Sequence, residues 1–377
     1  MSDTVALSLL ARQPLCRPEV SGLPRYNSGL SEEEVQRRYG LKNIVKLGSN
    51  ENPYGPSDLV KAGWDVLMGR LGRYPDAQAA TLRSEIAQAC SIAHDRVLVG
   101  NGSEQIIRMI AEAYLSAGDR VVTVRPAFGL HEICPRMMGA VVDAVPITAE
   151  ATFDYAAMLA AVQQPTKILM FANPSNPVGC MMTGDALREL IEACPPHALI
   201  VVDEAYREYA EQDPDYPDAR AILEKQARPW IILRTFSKAY GLAALRIGYA
   251  LTSSADVTAT LDTVRDPFNT NMPAQIAASA ALADAAYMQD CVRKTVAERE
   301  RVVQFLVAQG LFVAPTWTNF VFVRTPMRAD KLATALLEQG IIIKPWKEAG
   351  FENWIRISIG LPEENNIMLR ALADLVL

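Results

Sequence analysis

Between about residues 46 and 270, short apolar runs alternate with stretches of helical pattern, and no other feature constrains the fold as much. The runs cover residues 96–100, 120–124, 141–146, 167–172, 198–203, 230–235 and 246–251. Each is short, and most are rich in Val and Ile. Runs that are continuously apolar, rather than alternating, suit strands covered on both faces. Helical patterns stand between them, for example at 103–117 and 183–193. The alternation predicts an α/β fold: a mostly parallel sheet of about seven strands, flanked by helices. The spacing is irregular for an eight-fold barrel, although spacing alone leaves one open.

The pattern changes at about residue 273. A long helical region is followed by short strand patterns at 311–313, 318–324, 341–345 and 354–359, with a helix between the second and third. Pro362, Glu363 and Glu364 then suit the start of a last helix. At the other end, Ser31 and Glu34 form a capping box for a helix that stops at Gly40. The expected organisation is an arm at 1–45 that completes the smaller unit, a large domain at 46–272, and a small α+β domain at 273–377.

Composition narrows the function classes. The net charge is −6, with 21% charged residues and no long basic run. That is a poor electrostatic footprint for nucleic acid. No run reaches the roughly 18 apolar residues of a membrane helix. The N-terminal stretch lacks a basic leader region and is interrupted by Pro14, which argues against a secretory signal. Six cysteines scattered without a C-x-x-C pair fit reduced thiols in a cytoplasmic protein. Three histidines without ligand spacing leave little room for zinc.

Five constellations carry possible chemistry. Asp203 ends an apolar run and Tyr206 follows it, at the strand end where open parallel sheets bind ligands. A carboxylate there is more often a helix cap. Thr235, Ser237 and Lys238 follow the next run, with Arg246 eight residues on. Two hydroxyls, a Lys and an Arg suit a phosphate beside a Schiff base, whereas a Lys alone would be a solvated surface charge. Gly100-Asn101-Gly102-Ser103-Glu104 joins a strand to a helix. It reads equally well as an anion site or as a tight turn with a Ser cap. Asn173-Pro174-Ser175-Asn176-Pro177 is a rigid turn whose Asn176 amide could reach a ligand. Arg356 lies within an apolar strand pattern and needs an anionic partner, either an internal carboxylate or a substrate.

In this order on one chain, the five motifs resemble the fold-type I pyridoxal-phosphate enzymes of the class I/II aminotransferase superfamily. A narrower similarity to the histidinol-phosphate aminotransferase family rests on further motifs. These are Gly48-Ser49-Asn50-Glu51-Asn52-Pro53-Tyr54-Gly55, Arg73-Tyr74-Pro75-Asp76 and Ile357-Ser358-Ile359-Gly360-Leu361-Pro362. The resemblance runs from about Tyr26 to the end of the chain. It implies pyridoxal 5'-phosphate as cofactor, with Lys238 bonded to it and then acting as general base and acid. It implies that Asp203 pairs with the pyridine nitrogen and that Tyr206 and Asn176 bind the 3-oxygen. Thr235, Ser237, Arg246, Gly102 and the N–H groups of Ser103 and Glu104 would hold the phosphate, and Phe128 would stack on the ring. Tyr54 would reach the neighbouring subunit's cofactor, which implies a homodimer with shared sites. Tyr26, Asn52, Lys344 and Arg356 would bind the substrate.

The implied reaction is ping-pong transfer of an amino group from L-histidinol phosphate to 2-oxoglutarate. An aromatic amino-acid donor, or decarboxylation of a phosphorylated amino acid, are the alternative reactions on the same machinery. A regulator built on this fold would need a DNA-binding module that this chain has no spare domain to supply. Several positions depart from the family pattern. Phe128 and His131 stand where Tyr is commoner, Ala244 where Gly is, and Lys344 where many relatives carry Arg. Lysine there keeps the charge and loses the bidentate fork.

Overall fold

The structure is a computed structural model and describes residues 16–25, 27, 29–62, 64, 67 and 69–376. Thirteen strands occur among them. In chain order they are β1 (Val45–Lys46), β2 (Val97–Gly100), β3 (Arg120–Arg125), β4 (Val141–Pro146), β5 (Ile168–Ala172), β6 (Leu199–Asp203), β7 (Trp230–Thr235), β8 (Gly248–Thr252), β9 (Phe312–Val313), β10 (Phe320–Arg324), β11 (Ile341–Ile342), β12 (Lys344–Pro345) and β13 (Trp354–Ser358).

The large sheet has seven strands in the order β2-β8-β7-β6-β5-β3-β4. Strands β7, β6, β5, β3 and β4 pair in parallel, and β8 runs antiparallel to both its neighbours. The pleat explains the unbroken apolar runs. Leu169, Phe171, Ile200, Val202 and Ile232 enter the core on one face, while Ile168, Met170, Leu199, Val201 and Ile231 enter the core on the other. Successive residues point to opposite faces, and both faces are dry. The chain steps outward from β3 to β4 and then returns to β5 on the far side of β3. The loops after β3 and β5 therefore diverge across a crevice at the carboxyl ends of the strands.

The smaller sheet is antiparallel, in the order β12-β13-β10-β9. The single pattern expected at 341–345 is two strands in different sheets. β11 pairs in parallel with β1, and β12 pairs antiparallel with β13. Val45 and Lys46 thus pair with β11 of the smaller unit, and Leu47 is buried in its core. Ser31 caps the helix Glu32–Tyr39, and Gly40 ends it in the left-handed conformation. The helix Met272–Ala283, grouped by sequence pattern with the smaller unit, puts Ala274, Ala277, Ala278 and Ala281 into the large-sheet core. Small residues let it lie close against that core. Val302 and Leu306 of the next helix, Ala285–Ala308, join the smaller core instead. No helix among the described residues is long and apolar enough to cross a membrane.

Candidate active site

A cavity of about 710 Å³ opens at the carboxyl ends of the large sheet and reaches the smaller one. Its inner end is an anion cradle. Register sets it: Gly248 stands opposite both Gly100 and Thr235, so the strand ends β2, β8 and β7 meet there. A Cβ on Gly248 would come within 2.6 Å of the Ser103 nitrogen, so only glycine lets the helix Gly102–Tyr114 begin this close to the sheet. Asn101 gives that helix no side-chain cap, and Ser103 lies inside the first turn rather than before it. The Ser-cap reading of the motif is thereby excluded. The first-turn N–H groups, which lack intrahelical partners, are left for a ligand.

Arg246 faces this helix start. Its backbone is left-handed at φ 56°, an arrangement that costs an L-residue roughly 1–2 kcal/mol. Its Nη2 donates to Glu104 Oε2 at 3.0 Å, and its Nη1 donates to Ser237 Oγ at 3.3 Å. Thr235 Oγ1 accepts from the Ser237 N–H at 3.0 Å. Two hydroxyls, a helix N-terminus and a guanidinium on one concave wall fit a phosphate monoester.

The centre holds Lys238. Its Nζ donates to the Ser49 carbonyl at 3.0 Å. Burial, with Arg356 and Arg246 nearby, pulls its pKa down to about 8. Asp203 is buried at the end of β6, with Oδ2 3.1 Å from His131 Nε2 and Oδ1 accepting from the Ala205 N–H. The short helix that follows, Arg207–Ala210, begins at Tyr206 without a side-chain cap, so Asp203 is not a cap. The Tyr206 hydroxyl accepts from Asn50 Nδ2 at 2.9 Å and from Asn176 Nδ2 at 3.2 Å. Phe128 lines the cavity and meets His131 edge-on, with centroids 5.6 Å apart.

The outer end is cationic. Lys344 and Arg356 are register partners on β12 and β13. Arg356 is buried, lies over the Phe320 ring, and donates to Asn176 Oδ1 at 2.7 Å and to the Gly48 carbonyl at 2.8 Å. Lys344 donates to the Asn27 carbonyl of the arm. Burial, with Arg356 and Lys347 beside it, lowers its pKa to about 8.

The cavity thus gathers Ser103, Glu104, Phe128, Asn176, Asp203, Tyr206, Thr235, Ser237, Lys238, Arg246, Lys344 and Arg356 on one surface. Gly102 borders it, and a Cβ there would stand 2.7 Å from Arg246 Nη2. Asn52 lies behind the wall, donating to the Ala239 carbonyl at 2.8 Å and so bracing the turn that carries Lys238. Tyr54 is also outside the cavity, with the Lys294 ammonium 5.5 Å from its ring. Tyr26 lies outside the described residues. Two contributors were given no role by the sequence reading. His131 contacts Asp203 from 72 positions earlier in the chain, and a lone His carries no signal of its partner. Asn50 bridges Tyr206 to Ser358, whose Oγ donates to Asn50 Oδ1 at 2.9 Å.

A lysine of lowered pKa between a buried carboxylate and a phosphate cradle, on this sheet topology, defines a class of enzyme. The chain belongs to the family described as aminotransferase class I and II, which it matches over residues 42–372. Histidinol-phosphate aminotransferase 3 of Rhizobium meliloti is 43% identical over 359 residues, covering 95% of this chain and 96% of that protein. Histidinol-phosphate aminotransferase 1 of Mesorhizobium japonicum is 44% identical over 366 residues, covering 96% and 98%. The crystal structure of histidinol-phosphate aminotransferase from Sinorhizobium meliloti, in complex with pyridoxal-5'-phosphate, superposes with a TM-score of 0.87. It has 28% identity and covers 97% of this chain and 98% of that one.

Proposed function

We propose that this aminotransferase uses pyridoxal 5'-phosphate to move the amino group of L-histidinol phosphate to 2-oxoglutarate, a step of histidine biosynthesis. The observation that carries the donor is the side-by-side placement of Lys344 and Arg356. Two adjacent cations suit a phosphate dianion better than a single carboxylate charge. The names of the similar proteins point the same way.

The cofactor supplies an electron sink and a temporary store for the amino group. The chain does the rest. Ser103, Glu104, Thr235, Ser237 and Arg246, with Gly102 leaving room, hold its phosphate. Asp203, steadied by His131, would pair with the cofactor's pyridine nitrogen. Tyr206 and Asn176 bind its 3-oxygen, and Phe128 covers one face. Lys238 would bond the cofactor, and its lowered pKa leaves a usable share of its amine unprotonated near neutrality. Freed by the donor, the same amine would be placed to act as base toward the proton on the donor's amino-bearing carbon. Arg356 and Lys344 would hold the donor's phosphate, with Tyr26 assigned to the donor side as well, while Asn52 braces the turn that carries Lys238 rather than touching the donor.

In this reading the enzyme is a homodimer in which Tyr54 serves the neighbouring subunit's site, and it works in the cytoplasm, consistent with six free thiols. We place its unit boundary between Ala281, which ends the run of large-sheet core residues on its helix, and Val302, which lies in the smaller core.

The test is an absorption titration of the holoenzyme with L-histidinol phosphate and no oxo acid. The visible band of the lysine-bound cofactor is expected to fall at low donor concentration while the amine-form band grows. A band that ignores this donor and responds to L-phenylalanine overturns the substrate. Lys238→Ala is expected to abolish turnover, and full activity in that variant would overturn the mechanism.

A further inference from the structure

Four carboxylates line the cavity: Glu51, Glu104, Asp203 and Glu348. Three are engaged. Glu51 pairs with Lys46 at 2.8 Å, Glu104 with Arg246 at 3.0 Å, and Asp203 faces His131 at 3.1 Å. Glu348 has no ion-pair partner among the described residues, and its Oε2 is buried without a hydrogen bond of ordinary geometry. The indole Nε1 of Trp346, two residues earlier, is in the same condition.

The surroundings leave it only the Trp346 indole, and no cation of its own. Glu348 follows β12 on the loop that leaves Lys344, and it faces the start of the helix Leu130–Met137. The cation there, Arg125, is committed to Glu132 through Nη2 at 2.8 Å, and Arg136 donates to the same Glu132 oxygen at 2.8 Å. Glu132 therefore presents a negative neighbour rather than a partner. Burial and Glu132 together push the Glu348 pKa up to about 7, against the opposing pull of Arg125 and the Trp346 indole.

We infer that Glu348 reads the ring of the donor, accepting a hydrogen bond from an imidazole and so selecting it over a phenyl group. The inference rests on the histidinol-phosphate reading above and deepens it. The donor has three handles. Its amine goes to the centre of the cavity and its phosphate to Lys344 and Arg356. The remaining handle, the ring, meets a wall made of Phe128, Ile133 and Trp346, with Glu348, an acid without an ion-pair partner among the described residues, in it. An imidazole titrates near neutrality, as Glu348 does here, so the pair shares one proton between them. With the proton on the ring, the ring N–H donates to the carboxylate; with it on the carboxyl, the O–H donates to the ring nitrogen. The contact survives either way. A phenyl ring has no such group and would cover the half-buried acid without giving it a hydrogen bond.

The experiment compares two donors that share amine and phosphate, L-histidinol phosphate and L-phenylalaninol phosphate, on the holoenzyme and on Glu348→Leu and Glu348→Gln. Glu348→Leu is expected to lower the preference for imidazole over phenyl by roughly tenfold to a hundredfold, carried by KM with kcat little changed. Glu348→Gln, which keeps an acceptor, is expected to lose less. The half-saturation concentrations of the absorption titration should shift in the same proportion as KM. An unchanged preference in Glu348→Leu, with the bound-cofactor spectrum intact, overturns the Glu348 inference alone. A wild-type holoenzyme that does not react with L-histidinol phosphate overturns this inference and the proposed function together.

Discussion

Lys344 shows how much one lysine in place of arginine alters at the residue scale. Half-buried beside Arg356, it has its pKa lowered to about 8. Below that pH it is charged, and a donor phosphate would meet two cations. Above it, the free enzyme loses one of them, and binding must then restore the proton. The KM for a phosphate-bearing donor is therefore expected to rise as pH climbs through about 8. In Lys344→Arg the rise should vanish, because a guanidinium stays charged throughout. Parallel KM–pH profiles of the two enzymes would contradict this account. At this scale legibility was uneven. Lys238, Asp203, Arg246 and Arg356 announce themselves because each is a charge placed in or beside an apolar strand pattern, a costly arrangement that needs a reason. Asn50 and His131 are silent. Their roles come from partners far off in the chain, Ser358 being 308 positions from Asn50.

At the scale of elements, the strand ends were legible because covering both faces of a sheet demands an unbroken apolar run, and polar residues resume where the strand stops. The smaller unit was harder. Ile341 to Pro345 reads as one apolar stretch, yet its two halves pair with β1 and β13 in different sheets. Which neighbour a two-residue strand finds is decided by tertiary placement, not by its own pattern. The helix Met272–Ala283 shows the same limit, since alanines favour a helix without saying which core it covers. The start of the helix Gly102–Tyr114 gives the prediction for this scale. Gly102 has φ 73°, and an added Cβ would press on Arg246 Nη2. Gly102→Ala is expected to weaken cofactor binding by about tenfold or more, through backbone strain and a displaced guanidinium. Cofactor affinity measured by fluorescence titration checks this. An unchanged affinity would mean that the cradle is not built around that glycine.

For the whole molecule, the surface carries a hint of assembly. Leu59, Trp64, Leu71 and Tyr74 are all exposed within one stretch of chain, and Tyr74 stacks on the exposed Phe268 at 4.5 Å. The proposed homodimer would cover such exposure if these residues meet at one face. Light scattering is expected to give about twice the 41.3 kDa of one chain, and a monomeric mass in active enzyme would remove the role given to Tyr54.

The β8 strand also has a bearing on how the protein is made. Residues 97–100 can complete their ladder only with residues 248–251, which are synthesised long afterwards. The cradle needs Gly102 and Arg246 together, so a growing chain has nowhere to seat a phosphate until β8 has left the ribosome. The clasp of Arg356 on Asn176 and Gly48 waits longer still, almost for the last helix. Early N-terminal segments thus stay without their edge partner through most of translation. Cofactor capture comes late, and donor recognition comes last.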